Sequence, residues 1–199
     1  MKNAFRSCAT IVALSLSVSG CALLGSKPKP LDTFELSAPA AESQKPRRGI
    51  QILVTEPSAL KALDSQNIVV NPQPGSIEYL GGAQWADRLP KVVQARLAET
   101  FQKSGRFAGV GKPGEGLAID YQIVSEIRTF EVRLGGQSRA HVTLFVRILN
   151  DRNGAVRAAK VFETEAPISG ADNGAYVRGL NAAFGRAAIE IVDWTASII

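Results

Sequence analysis

Apolar and polar residues alternate along much of this chain with the period-two signature of half-buried strands. In residues 49–56, Ile50, Ile52 and Val54 share one face. Residues 33–37 (TFELS) and 67–71 (NIVVN) read as shorter strands. Pro72 and Pro74-Gly75 break the latter, and residues 76–80 (SIEYL) can pair back as a hairpin. Residues 107–110 suggest a short edge strand. Residues 117–134 form a longer strand. Leu117, Ile119, Tyr121, Ile123 and Ile127 alternate, then the phase slips to Phe130, Val132 and Leu134. One extra residue near Arg128-Thr129, a β-bulge, accounts for the slip. Gly135-Gly136 turns the chain, and Ala140, Val142, Leu144, Val146 and Ile148 line one face of the return strand, 140–149. Asp151-Arg152-Asn153-Gly154 is a hairpin turn into a last strand, 155–166.

Two segments carry the longer period of an amphipathic helix. In residues 87–103 the stripe is Trp85, Leu89, Val92, Val93, Leu97 and Phe101. Asp87 suits the N-cap, Pro90 falls in the first turn where a missing donor costs little, and Ser104-Gly105 ends the helix. The second helix spans about 173–197, with Tyr176, Leu180, Phe184, Ala187, Ile191 and Trp194 as its stripe. Its small residues Gly179, Ala183 and Gly185 cost helix propensity, about 1 kcal/mol per glycine, and allow close approach to a sheet. A strand meander needs one covered face. The expected fold is α+β: a single two-layer domain over 33–199, with a largely antiparallel sheet packed by two helices.

The N-terminus carries a different pattern. Lys2 and Arg6 precede the apolar run 9–18, which is shorter than the roughly 20 residues a membrane span requires. Ser19-Gly20-Cys21 follows. A small pair directly before cysteine at the end of such a run reads as a lipoprotein signal, cut before Cys21 and acylated on it. Residues 1–20 are then the signal peptide. Cys21 is the lipid attachment site, taking an N-acyl and an S-diacylglycerol group, palmitate among the expected chains. A general-secretion cut at Ser17-x-Ser19 is the alternative, and it leaves Cys21 an ordinary mature residue. Residues 21–32 read as a tether; 22–32, rich in Gly, Ser and Pro, reach about 34 Å at ~3.1 Å per residue. Each buried methylene contributes about 0.8 kcal/mol, so several acyl chains give a near-permanent anchor. Ala22, rather than Asp, after the cysteine points to the outer membrane, with the domain facing the periplasm.

Composition narrows the chemistry. The chain has 199 residues and a formal net charge of +5, and loses Lys2 and Arg6 but no acid with the leader. The small excess left is no nucleic-acid footprint, which would cluster Lys and Arg on one face. The two cysteines are Cys8 and Cys21, so a lipidated mature chain has no disulfide to form. The sole histidine, His141, falls on the polar face of its strand with Thr143, Phe145 and Arg147, and reads as a surface or second-face residue. With no second His or Cys beside it, no metal site is expected. Residues 109–114 match G-x-G-x-x-G, but Pro113-Gly114 lead into a strand where a dinucleotide site needs a helix N-terminus, so the match is a loop. No G-x-S-x-G elbow occurs. No catalytic residue and no cofactor is assigned.

The run Tyr79-Leu80-Gly81-Gly82-Ala83-Gln84-Trp85-Ala86-Asp87-Arg88-Leu89-Pro90 resembles the Tyr…Trp-Ala-x-x-Leu signature of the ABC-type transport auxiliary lipoproteins, the PqiC-like family. The leader, the two early strands, the helix ending at Leu97–Phe101, the strand with Phe130-Glu131, the meander and the final helix follow the same order. The departure is Gly81-Gly82-Ala83 before the tryptophan, where a polar stretch is expected. The resemblance implies a non-enzymatic outer-membrane lipoprotein. It would serve an ABC permease and ATPase whose periplasmic part is an MCE-domain assembly, and which moves phospholipids or other hydrophobic molecules. Phospholipid is a candidate ligand, and the architecture allows a homo-oligomer. Candidate partner contacts are Ile77, Tyr79, Leu80 and Trp85, in the Gly/Pro-rich loop 72–85. Tyr79 and Trp85 are also placed to cap the core at the helix start. Candidate headgroup contacts are Lys45, Arg47 and Arg48. The alternative role is a structural or assembly lipoprotein that binds an outer-membrane or cell-wall component.

Overall fold

The longest strand organises everything else. In a computed structural model that describes residues 30–40 and 49–199, β7 (Tyr121–Arg133) pairs on one side with β8 (Arg139–Asn150), antiparallel along its whole length. β8 pairs in turn with β9 (Val156–Pro167), again antiparallel. On its other side β7 takes three short strands in succession, all parallel: β2 (Gln51–Val54), β3 (Ser58–Ala59) and β4 (Asn67–Asn71). β6 (Gly109–Gly111) adds to β2, β5 (Glu78–Trp85) to β4, and β1 (Asp32–Phe34) to β5. Among the described residues the result is a nine-stranded open sheet. The long ladders are antiparallel, as the alternation predicts. The parallel attachment of β2, β3 and β4, and the existence of β3, were not expected.

Among the described residues two helices, α1 (Leu89–Ser104) and α2 (Asn173–Ile198), cover one face, with α2 lying mainly on β8 and β9. This makes the expected two-layer α+β domain. The core lies between the layers. Ala140, Val142, Leu144, Val146 and Ile148 of β8 are all fully buried, against Leu180, Phe184, Ala187 and Ile191 of α2. Gly179 is where α2 comes nearest: a Cβ there would lie 2.6 Å from Ile168 Cγ1 and 3.4 Å from Ala140 Cβ. The expected bulge falls between Ile127 and Thr129. It keeps Ile123 and Ile127 on the same buried face as Phe130 and Val132.

Several local expectations are corrected. Strand β7 begins at Tyr121, and Leu117 is exposed beyond a turn in which the Glu115 amide donates to the Lys112 carbonyl (3.2 Å). Strand β5 runs through Gly81-Gly82-Ala83 to Trp85, because a wide bulge between Val69 and Asn67 absorbs the extra residues. Gly82 takes φ +74° there, a conformation that costs a glycine nothing. Trp85 therefore ends a strand and does not open the helical stripe. Asp87 is not the N-cap; that position is Arg88, without a side-chain cap. The Leu89 amide donates instead to the Ser65 carbonyl (2.9 Å), while the Asp87 carboxylate accepts from the Arg88 amide (2.7 Å). Gly105 closes α1 in the left-handed conformation, as expected. The stretch 109–114 is edge strand β6 followed by a turn, and the next element along the chain is strand β7, not a helix.

Candidate functional site

The sequence-chosen contacts divide between surface and core. β4 ends at Asn71, and the Ser76 amide donates to the Gln73 carbonyl (3.0 Å) to reverse the chain. Gly75, at φ +82°, sits in that turn. Tyr79 then pairs with Val69 and Glu78 with Val70. This geometry holds Ile77 and Tyr79 at the tip, 58 % and 50 % exposed. Leu80 is half-buried and packs on the core. Trp85 is 1 % exposed and meets Phe130 edge-to-face at 5.9 Å. Its indole is a core side chain, so it drops out of the contact surface; the reading in which it caps the core at the helix start describes it. Beside the tip, Asn71, Gln73, Pro74, Gly75, Arg133 and Leu134 line an open cleft of about 470 Å³. Sequence reasoning missed Arg133 and Leu134 there, because the parallel pairing of Asn71 with Arg133 is what brings them to the tip.

The sheet face opposite the helices carries a cluster of charged side chains. His141 lies in register between Glu131 of β7 and Glu165 of β9. Its Nε2 is 2.8 Å from Glu163 Oε1. Arg133 Nε donates to Glu131 Oε1 at 2.8 Å, and Arg133 and Arg139 each reach Glu165, at 3.8 and 3.5 Å. Of the two positions expected for His141, surface or second face, it takes the second, and it is buried there. The i, i+2 spacing of Glu131/Arg133, Arg139/His141 and Glu163/Glu165 was the legible signal for this cluster. Thr143 Oγ1 is 3.4 Å from the same Nε2, while Nδ1 is buried without a partner. A nucleophile–base–orienter relay uses both ring nitrogens, one for the hydroxyl and one for the carboxylate. Here both neighbours converge on one nitrogen, so that relay is not assembled. Among the described residues no group of three His, Cys, Asp or Glu side chains could hold a metal ion. Among them, too, no helix is long and apolar enough to cross a membrane.

Cys21, Lys45, Arg47, Arg48 and the leader 1–20 lie outside the described residues. What is described is a two-layer α+β domain with a hairpin tip, a cleft beside it and one uncovered sheet face. The chain belongs to the family of ABC-type transport auxiliary lipoprotein components, whose model matches residues 33–192. It is 33 % identical over 147 residues to the protein bll6063 of Bradyrhizobium diazoefficiens, a match covering 72 % of this chain. The chain spans only 39 % of that relative's length. The crystal structure of XCC0632 from Xanthomonas campestris superposes with a TM-score of 0.72 at 27 % identity, covering 83 % of this chain and 96 % of that one. The hypothetical protein CT253 of Chlamydia trachomatis, at 9 % identity and a TM-score of 0.53, covers 75 % of this chain and 98 % of its own and shares the fold.

Proposed function

We propose that this chain is a non-catalytic outer-membrane lipoprotein of an MCE-type ABC transport system, which moves phospholipids or other hydrophobic molecules across the envelope. Family membership over residues 33–192 is the observation that carries the reading. The lipidated Cys21 holds the domain at the membrane, and Lys45, Arg47 and Arg48 meet anionic headgroups. The ATPase and permease supply the energy, and this chain supplies a fixed docking point near the far end of the MCE assembly. Tethering raises the local concentration of that docking point at the membrane, so a modest contact suffices. The exposed Ile77 and Tyr79, with Leu80 behind them and the cleft beside them, support the tip as the contact. An aromatic anchor with an aliphatic neighbour is the composition that dominates many interfaces.

The test is mild crosslinking of the full chain in its own envelope, followed by purification. Co-purification of an MCE protein is expected. Tyr79→Ala with Ile77→Ser should lower its yield roughly tenfold, the effect of truncating one strong contact. Recovery of a cell-wall or barrel protein and no MCE or permease subunit would favour the structural alternative and sink this reading. Mass spectrometry of the mature N-terminus checks the anchor separately: unmodified sulfur at Cys21, or a cut elsewhere, removes it.

A further inference from the structure

Three connections meet at the end of the sheet that carries the hairpin tip. The stretch 71–77 leads from β4 into β5, 134–138 from β7 into β8, and 167–171 from β9 into α2. The Leu134 amide donates to the Asn71 carbonyl (2.9 Å) and the Ile168 amide to the Ser138 carbonyl (3.1 Å), so the three are tied side by side. None of them contains Asp, Glu, Lys, Arg or His, in a chain that is 21 % charged. At the opposite end of β7 and β8 the turns differ: 112–120 carries Lys112, Glu115 and Asp120, and 150–155 carries Asp151 and Arg152. The charge-free end is also where Ile77 and Tyr79 stand in solvent. Just behind its loops, Arg133 and Arg139 form one row of the open face, and the carboxylates Glu131 and Glu165 lie in the next row, on either side of His141. The path of the chain leads to the same place. β1 runs parallel to β5, with Asp32 beside Ala83 and Phe34 beside Trp85, so it enters the sheet from the tip side. Leu31, 50 % exposed, precedes it about 10 Å from Tyr79 at ~3.4 Å per strand residue. Ten residues separate Cys21 from Leu31, and they span no more than about 36 Å.

We propose that this charge-free end rests on the lipid bilayer that holds Cys21, with Ile77 and Tyr79 in the interface. The proposal rests on the acylated Cys21 of the reading above and deepens it: the tip seats the domain on the membrane, and that seating presents the docking point. An uncharged surface gives up no ion hydration when headgroups replace bulk water against it. Tyrosine suits the headgroup level, where its ring is covered and its hydroxyl stays wet. Glu78 falls on the other side of the strand from Tyr79. The loops stay at headgroup depth, because hydrocarbon offers their backbone groups no partners. Arg133 and Arg139, in the row nearest the loops, favour an anionic surface over a neutral one. Two apolar side chains alone hold a bilayer weakly. A chain already anchored by its lipid pays little further for the contact, since the tether keeps the tip at high local concentration.

Tip variants weaken capture of a partner protein on either account, so the test contains lipid and no partner. The acylated chain is reconstituted into vesicles of phosphatidylethanolamine and phosphatidylglycerol, with or without brominated acyl chains, and the vesicles are floated. A polarity-sensitive fluorophore is carried in turn by Ile77→Cys, Gln137→Cys and Arg152→Cys, all at exposed positions. The labels at 77 and 137 should shift to the blue, and the label at 77 should lose most of its emission to the brominated chains. The label at 152, on a far-end turn, should keep its aqueous spectrum. Tyr79→Asp added to Gln137→Cys should return that label to its spectrum in water. A label at 77 that stays aqueous on floated vesicles overturns the proposal, leaves the anchor standing and assigns the tip to protein contact alone. Equal responses at 77 and 152 also overturn it, because the chain then has no preferred end. A chain that does not float refutes the acylated Cys21, and the proposal falls with it.

Discussion

Truncating Trp85 to alanine separates a core residue from a contact residue. The indole is buried, touches Phe130 edge-to-face at 5.9 Å, and Phe130 in turn meets Phe184 of α2 at 6.3 Å. The backbone around it is held independently. The Trp85 amide donates to the Gln66 carbonyl and the Ala86 amide to the Phe34 carbonyl, both at 2.8 Å. β5 therefore stays in place, and the loss is one of packing. Replacing a fully buried large aromatic by alanine costs about 3–5 kcal/mol, of which the edge-to-face contact accounts for about 0.5–1.5. A domain of this size has a total stability of about 5–15 kcal/mol, so the variant should be visibly weakened. In urea unfolding followed by far-ultraviolet circular dichroism, the midpoint should fall by about 2 M for a slope near 2 kcal/mol per M. Tyr79→Ala, at an exposed position, should move it by less than about 0.5 M by the same slope. A Trp85→Ala variant that keeps its midpoint but loses partner capture would show that the indole leaves the core to bind, and the packing argument would be wrong.

Gly179→Ala carries two opposed effects. It gains about 1 kcal/mol of helix propensity, but its Cβ would lie 2.6 Å from Ile168 Cγ1, with Ala140 Cβ at 3.4 Å behind it. Crowding of that kind costs about 1–3 kcal/mol, so net destabilisation is expected. Ile168→Ala in the same chain should recover part of it, and purely additive losses would count against the steric account. Glu99 is held below the ordinary glutamate range, first by its hydrogen bond from Lys103 and then by that from Arg96. Its folded-state pKa lies below its unfolded one, so the stabilisation is present at neutral pH and is lost as the pH falls through the folded value. The pair is well exposed and the effect on stability small. A carbon-13 titration of Glu99 should move upward in Lys103→Gln, and an unmoved titration would refute the assignment.

The parts of the fold legible in the sequence were those whose partners lie close along the chain. β7, β8 and β9 follow one another through tight turns, so alternation alone fixed their faces, and the phase slip at Arg128-Thr129 marked the bulge. The stripe of α2 was clear for the same reason. β3 has two residues, too few to show a period. The parallel docking of β2, β3 and β4 depends on a strand 50 or more residues away, and no local pattern records it. Trp85 read as the first rung of α1 because its spacing to Leu89 is helical, whereas its burial comes from Phe130, reached only through the β4–β7 pairing. His141 was assigned to the correct face, but its burial was not foreseen. The Glu163 carboxylate that closes on its ring comes from the neighbouring strand, and burial on an uncovered face is invisible to alternation.

Three short N-terminal strands lie end to end along β7, and β7 is made after all of them. A chain that emerges N-terminus first therefore delivers β2, β3 and β4 before the platform they dock on exists. Until Tyr121 and the residues after it emerge, Ile52, Val54 and Ile68 have no sheet to cover them and are open to association with other chains. Pairing across such separations is slow, since loop closure precedes the reward. The early half of this protein is thus the half most open to misassociation, and that exposure ends once β7 is in place.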